Sequence, residues 1–213
     1  MEDRARTVRT RSALGAAAAV AFAWVLLLAP AHAAGPGGAE PPPVPLDIEV
    51  PPGHSVLAYG RAFGTQNFIC LATASGVSWR FTGPQATLFL TFRDAVTQQI
   101  ATHFLSPNPD EGGTPRPAWQ HSFDTSGVWG RVRSASSDPV YVEPGAIPWL
   151  LLDAVGVERG PTGGAHLART QFIHRVNTAG GVAPATGCAS PTDVGAVALV
   201  PYQADYFFYK ADR

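Results

Sequence analysis

The chain has 213 residues, with 15 Lys and Arg, 16 Asp and Glu, and a formal net charge of -1 at pH 7. This balance excludes the clustered positive charge that nucleic acid or an anionic membrane surface requires. The length suits one domain with a single core. The sequence carries none of the short motifs of serine hydrolases, zinc proteases, redox dithiols or P-loop proteins.

The first 33 residues have the pattern of a secretory signal peptide. Four arginines precede an apolar run over residues 14–29, and Ala31-His32-Ala33 follows as an A-x-A cleavage site. The run is shorter than the ~20 residues of a membrane-spanning helix. We therefore predict cleavage after Ala33 and a secreted protein, extracellular or cell-wall associated, with no stable membrane span after cleavage. An uncleaved anchor is the alternative.

Residues 34–53 form a Pro- and Gly-rich segment. Seven prolines stand between Gly35 and Gly53, a density that favours extended polyproline backbone. We expect a linker or an arm that lies against the surface. A single domain over residues 54–213 is expected to follow it.

Beyond residue 53 the chain consists mainly of short runs in which apolar and polar residues alternate. Such alternation indicates β-strands with one buried face. The clearest runs cover residues 67–70, 77–82, 88–92, 128–133 and 202–208. The predicted buried faces are Val77, Trp79 and Phe81 in the second run and Tyr202, Ala204, Tyr206 and Phe208 in the last. Gly- and Pro-rich turns separate them, and no long amphipathic helix follows the signal peptide. The sequence therefore predicts an all-β domain, either an antiparallel β-sandwich or a partly closed β-barrel.

Residues 147–152, Ile-Pro-Trp-Leu-Leu-Leu, are apolar throughout. A continuous apolar run predicts a strand that is covered on both faces, and Pro148 belongs at its start because proline cannot donate to a ladder. Phe207 and Tyr209 interrupt the alternation of the last strand. They indicate either burial on both faces or an exposed aromatic shelf.

The chain has two cysteines, Cys70 and Cys188. In an exported protein an even pair is expected to form a disulfide, which would join an early strand to the last third of the chain. Two buried thiols are the alternative.

Three blocks in the last third carry a family resemblance. They are Ile147-Pro148-Trp149-Leu150-Leu151-Leu152, Ile173-x-Arg175-Val176-Asn177-Thr178-x-Gly180-Gly181-x-x-Pro184 and, after Cys188, Val200-Pro201-Tyr202-x-Ala204-Asp205-Tyr206-x-Phe208-Tyr209. In this order and spacing the chain resembles the secreted bacterial and fungal family called domain of unknown function 3455, back to about Gly53. The resemblance implies a fold and a compartment, and it assigns no reaction.

The chain departs from the pattern of that family in three places. Residues 106–116 have the character of an insertion between the family positions His103 and Trp119, and the turn that starts at Asp124 reads Asp-Thr-Ser-Gly. His174 stands where the family commonly has Gln, which makes it a poor candidate for catalysis. Some relatives carry a malate dehydrogenase label, but the glycines of residues 160–164 lack the spacing of a dinucleotide-binding turn.

The candidate site residues are His103, Trp119, His121 and Asp124. We expect residues 106–116 to form a loop, with His103 at a strand end as a polar contact and Trp119 as an apolar wall. His103, His121 and Asp124 could instead hold zinc, or make ordinary hydrogen bonds at a rim. Binding through a neutral His103 is expected to weaken below pH ~6.5. Trp119 and Trp129 are each candidates to stack on a sugar or an apolar ligand, or to pack in the core.

His174 alternates with apolar neighbours, which predicts a core histidine with one satisfied nitrogen. Arg175 and Asn177 fall on the opposite face of the same strand. They are expected to bind a carboxylate or a sugar, or to pair with Asp205 or Asp153.

Two functions follow from these features. The first is a secreted binding or cell-surface-associated module, whose partner would be a glycan or an apolar small molecule. The alternative is a secreted hydrolase or metal-dependent enzyme with a site near His103. No cofactor is expected under the first function, and a bound metal ion belongs to the second.

Overall fold

Eight strands account for most of residues 39–91 and 97–212, which are the residues that the computed structural model describes. They are β1 His54–Thr73, β2 Gly76–Thr91, β3 Thr97–Asn108, β4 Thr114–His121, β5 Gly127–Ser136, β6 Trp149–Glu158, β7 Phe172–Gly180 and β8 Val197–Ala211. Three 3-10 turns, Leu46–Ile48, Pro109–Glu111 and Pro191–Asp193, complete the regular structure of this part. Within it, no helix is long and apolar enough to cross a membrane. The predicted signal peptide lies outside the described residues.

The eight strands form a closed antiparallel barrel. Each strand pairs with the next one in the chain, and β8 returns to pair with β1 from Ile69↔Val197 to His54↔Ala211. The all-β prediction is confirmed, and the fold is a barrel instead of a sandwich. Eight strands enclose an interior that side chains can fill or that can hold one small ligand.

The inner faces of the strands form the main core. Alternation along β8 points Tyr202, Ala204, Tyr206 and Phe208 inward, as predicted. The inner cluster is Ala58, Ala62, Ala86, Leu88, Ala101, Trp119, Val128, Ile147, Leu152, Leu167, Ile173, Tyr202, Ala204, Tyr206 and Phe208. Small residues fit where strands approach closely. At Gly64 a side chain would collide with the backbone of Gln85 on the neighbouring strand.

A second apolar cluster lies outside the barrel, beneath the proline-rich segment. Its buried members are Ile48, Val142, Trp149, Leu151, Val176, Phe207 and Tyr209. Ile48 has no exposed surface, so the segment lies tightly against this wall. Residues 147–152 are thus covered on both faces, as predicted, and Phe207 and Tyr209 are buried instead of forming an exposed shelf.

The prediction that residues 106–116 form a loop was wrong. β3 continues to Asn108 and β4 begins at Thr114, with Pro107 opposite Pro115, so His103 lies within a strand. β4 pairs with β5 only over residues 118–120. Pro115 and Pro117 therefore lie where β4 has a free edge, and an edge tolerates a residue that lacks a donor.

The hairpin that joins β1 and β2 extends beyond the barrel. β2 pairs with β3 only from Gln85 onward, so the predicted buried face of Val77, Trp79 and Phe81 is at most half-buried. The indole of Trp79 donates to the carbonyl of Thr186 at 3.2 Å. Alternation predicts which residues share a face of a strand, but not whether that strand lies in the barrel wall or beyond it. The predicted burial of this face is therefore incomplete.

The predicted disulfide is present between Cys70 and Cys188, with Cα atoms 5.5 Å apart. Cys70 lies near the end of β1, and Cys188 lies in the connection between β7 and β8. Gly195 and Ala196 add backbone hydrogen bonds to Cys70. The bridge therefore holds this connection against one end of the barrel.

Candidate functional site

A cavity of about 340 Å³ opens at one end of the barrel interior. It lies at the end that carries the β1–β2, β5–β6 and β7–β8 connections, and we call it the cavity end. The opposite end, which we call the plugged end, is filled by Leu167 from the connection between β6 and β7. The cavity is lined by Gln66, Phe68, Phe81, Pro84, His103, Pro117, Trp119, Val132, Ile147, Pro148, Leu150, Leu152, Arg175, Gly181 and Tyr206.

His103 and Trp119 form one wall of the cavity. They are cross-strand partners on β3 and β4, and their rings stack with centroids 4.2 Å apart and planes 5° apart. Tyr206 meets both rings edge-on, at 5.1 Å from His103 and 5.3 Å from Trp119. The sequence prediction named the first two residues and missed Tyr206, which its alternation had placed in the core.

His103 is neutral and presents an acceptor. Burial lowers the pKa of His103 to about 3, outweighing the opposite effect of its hydrogen bond to the Ala118 carbonyl, and the charge of Arg175 lowers it further. Nδ1 donates to the Ala118 carbonyl at 2.9 Å, so Nε2 carries the lone pair. Among residues 39–91 and 97–212, Nε2 has no hydrogen-bond partner. The expectation that His103 titrates near pH 6.5 was wrong, because the ring is fully buried.

Arg175 is the charged residue of the lining. Cross-strand pairing with Leu150 and Tyr206 places it on the inner face of β7. Its Nε and Nη2 donate to the carbonyl of Pro148 at 3.2 and 2.9 Å. In the part of the chain that the structure describes, no carboxylate lies within 4 Å of the guanidinium.

Neither predicted carboxylate pairs with Arg175, but the predicted pairing of Asn177 with Asp205 is present. Asp205 accepts hydrogen bonds from Tyr59 at 3.0 Å and from Asn177 at 2.8 Å on the outside of the barrel. Asp153 instead pairs with arginines of the neighbouring strand, including Arg133 at 2.8 Å.

Arg175 and Asn177 face opposite sides although the sequence predicted one face for both. Asn177 has a positive φ of 50°, and the pairing of β7 with β8 shifts between Val176 and Ala179. This bulge turns Asn177 outward.

Gln66 and two tyrosines add polar atoms beside Arg175. The hydroxyls of Tyr202 and Tyr206 are 3.4 Å apart, and burial raises the pKa of both phenols, so both stay protonated. Gln66 is 4% exposed, and its amide nitrogen has no partner among the described residues. The indole nitrogen of Trp119 is also without one there.

His121 and Asp124 lie at the plugged end and do not meet His103. Asp124 accepts from His121 at 2.9 Å, from the amide and hydroxyl of Ser126, and from the amide of His166. Burial alone would raise the pKa of Asp124, but these hydrogen bonds hold it well below its usual range. His121 stacks on His166 with ring centroids 4.4 Å apart. Asp124 therefore organises two loops.

The zinc site considered from sequence is not assembled. Within residues 39–91 and 97–212, no group of three His, Cys, Asp or Glu side chains is placed to hold a metal ion. Pairing explains the separation, because His121 lies opposite Ala101 while His103 lies opposite Trp119, nearer the cavity end.

Two other candidates lie outside the barrel. His174 is buried under the proline-rich segment, where Nε2 is 2.6 Å from the Ile48 carbonyl and Nδ1 is 3.2 Å from the Tyr209 hydroxyl. Both nitrogens thus have partners, one more than predicted. Trp129 is buried on the outer face of β5, away from Trp119. Neither residue lines the cavity.

A comparison with known protein families shows which family the chain belongs to. Residues 51–210 match the family described as "Protein of unknown function (DUF3455)". The chain belongs to this family. No curated protein and no solved structure matches the chain.

The residue blocks that resemble this family meet at the cavity. Ile147, Pro148 and Leu150 come from the first block, Arg175 and Gly181 from the second, and Tyr206 from the third. Alternation alone could have shown that Arg175 shares a strand face with Ile173. Its place beside Tyr206 depends on strand pairing, so the sequence analysis missed this side of the site.

Proposed function

We propose that the chain is an exported binding protein that holds a small, mainly apolar molecule in the barrel cavity. The observation that carries this proposal is the cavity of about 340 Å³ at one end of the barrel interior, with a mainly apolar lining. Ligand sites in proteins have volumes of roughly this size and upward, with apolar walls and few polar groups. The mouth of a β-barrel is a frequent place for them.

The chemistry of the lining supports binding over hydrolysis. Phe68, Phe81 and Trp119 supply aromatic surface, and His103 supplies an acceptor. No Ser, Thr, Cys, Asp or Glu stands among the described lining residues. Besides the Tyr206 phenol, whose pKa is raised by burial, the described lining offers His103 no nucleophile to activate, and no carboxylate orients it.

The disulfide supports the exported part of the proposal. Cys70 and Cys188 are joined, and structural disulfides persist mainly in oxidising compartments. A binding protein outside the cell or at its wall would carry such a bridge. Detection of the mature chain in culture medium or in the wall fraction tests the location directly.

The binding function is tested by filling the cavity. Val132 lines the cavity but is 49% exposed, so Val132→Trp should fold and occupy the mouth. Val157→Trp is the matched control, since Val157 is 42% exposed and does not line the cavity. The probe is 2-naphthol, an uncharged fluorescent alcohol, and its anisotropy reports binding.

We expect the unaltered chain and Val157→Trp to bind one 2-naphthol, and Val132→Trp to bind at least ~10-fold more weakly. An added side chain that occupies the site removes the contacts from which affinity arises. Equal affinity in all three proteins, or no binding to the unaltered chain, would contradict the proposal.

A further inference from the structure

Arg175 places a positive charge against an apolar cavity without a neutralising group. Its Nε and Nη2 donate to the Pro148 carbonyl, and the Tyr206 hydroxyl also lies within its hydrogen-bonding reach. Neither group balances the charge. Arg175 is half-buried, so its guanidinium is partly desolvated, which favours an anionic partner. Nη1 is not used by the Pro148 contact. This guanidinium therefore retains capacity for an anionic oxygen.

The groups around Arg175 are mostly donors, which restricts the ligand further. Tyr206 lies opposite Arg175 in the strand pairing, and its hydroxyl is in turn 3.4 Å from that of Tyr202. Both phenols are protonated. Gln66 lies beside Tyr202, but within the described part of the chain its amide nitrogen makes no hydrogen bond of ordinary geometry. Guanidinium, phenol and amide N–H groups together suit a carboxylate, whose two oxygens are acceptors only.

The remaining walls suit an apolar body. Trp119, Leu150 and Leu152 lie around the interior, and Phe68 and Phe81 lie toward the mouth. At the ~30 Å³ that one water occupies in the liquid, a cavity of about 340 Å³ has room for about 11 non-hydrogen atoms. A fatty acid of medium length or an aromatic acid has this size.

We propose that the cavity binds a small amphipathic carboxylic acid, with the carboxylate at Arg175 and the apolar body against Trp119. This inference rests on the proposed binding function and adds the charge and class of the ligand. A sugar, the other sequence-based candidate, would need many donors and acceptors, whereas most of the lining residues are apolar.

The test compares three probes that share a chain and differ in the head group. Octanoate, 1-octanol and octylammonium are titrated into the unaltered full domain by calorimetry at pH 7. We expect octanoate to bind at least ~10-fold more tightly than 1-octanol, because only the acid can pair with the guanidinium. Octylammonium should bind more weakly than the alcohol. This comparison needs no variant, so it holds even where a substitution disturbs folding.

Variants of Arg175 then test whether this residue causes the preference for octanoate. Arg175→Met should lose the preference for octanoate over 1-octanol while it retains the binding of 1-octanol, and Arg175→Lys should keep part of the preference. Arg133→Met is the matched control, because Arg133 is an exposed arginine that pairs with Asp153 away from the cavity. Thermal unfolding of each variant shows whether loss of the Pro148 contact also destabilises the domain.

The outcomes distinguish failure of the carboxylate inference from failure of the proposed binding function. Equal binding of octanoate and 1-octanol, both blocked by Val132→Trp, would overturn the anion inference and leave the binding cavity intact. A preference for octanoate that persists in Arg175→Met would also overturn it. Failure of every probe, 2-naphthol included, would overturn both proposals.

Discussion

The two ends of the barrel use similar polar residues in opposite ways. At the plugged end the carboxylate of Asp124 accepts hydrogen bonds from His121, Ser126 and His166, and Leu167 fills the space behind them. At the cavity end Arg175 has no carboxylate partner in residues 39–91 and 97–212. Polar groups that are satisfied within the chain stabilise loops. Those that remain available next to a cavity are the basis of the proposed ligand site.

The largest effect is expected when the connection between β7 and β8 at the cavity end loses its disulfide. Cys70→Ala with Cys188→Ala removes a bridge between residues 118 positions apart. Loop-closure entropy assigns such a bridge roughly 4–5 kcal/mol of stability, as an upper value. We expect a large fall in the free energy of unfolding, measured in urea, and faster proteolysis within residues 181–196. The single variant Cys70→Ala should lose as much as the double variant, and unchanged stability in both would contradict the assignment.

The second largest effect should come from the plugged end. Asp124→Ala leaves the buried hydroxyl of Ser126 and the amides of Ser126 and His166 without their acceptor. Each unsatisfied buried group costs about 1–3 kcal/mol. The His166 amide is exposed, so the two Ser126 donors dominate, and we expect ~2 kcal/mol or more of lost stability. Binding of 2-naphthol at the other end should stay unchanged under conditions where the variant is folded. The exposed Asp110→Ala is the control and should change stability by no more than ~0.5 kcal/mol.

If Asp124→Ala weakened 2-naphthol binding under conditions where the variant is fully folded, the two ends of the barrel would be coupled. The roles assigned to them here would then be wrong. Asp124→Asn sharpens the comparison, because the amide oxygen still accepts from Ser126 while the charge is lost. Its stability should lie between those of the unaltered chain and the alanine variant.

A third effect is the pH dependence of stability that His103 introduces. Its folded pKa is lowered to about 3, below the unfolded value of 6.5, so the unfolded chain binds more protons between these values. Stability therefore falls as pH drops below ~6.5, by about 1.4 kcal/mol per pH unit. His174, with a folded pKa of about 4, adds a similar slope over a narrower range.

The pH effect is checked by urea unfolding at pH 7 and pH 5. His103→Gln should show a smaller loss between the two values than the unaltered chain, by about 2 kcal/mol for 1.5 pH units. Thr102→Ala, at the next position on the same strand, should keep the full loss. An identical loss in His103→Gln would show that the ring is not buried in neutral form. Binding through His103 should not weaken near pH 6.5, contrary to the sequence expectation.

The sequence predicted only part of the candidate site. His103 and Trp119 were selected together and do share a wall of the cavity. His121 and Asp124 were grouped with them because they are near in sequence. Alternation gives the direction of a side chain but not its position along the barrel axis. Trp119 lines the cavity, whereas His121, two positions further along β4, lies at the plugged end.

Local sequence determined the strands and the two-sided burial of residues 147–152, because periodicity acts over a few residues. The cysteine pairing was predicted from the even number of cysteines in an exported chain, although the bridge spans 118 positions. Tertiary structure decided the closure of β8 onto β1, since that pairing joins segments more than a hundred residues apart. It also decided that the bulge at Asn177 turns that residue outward while Arg175 stays inside. The cavity exists only after closure, because its lining comes from all eight strands and their connections, and a barrel interior forms only when the last strand meets the first.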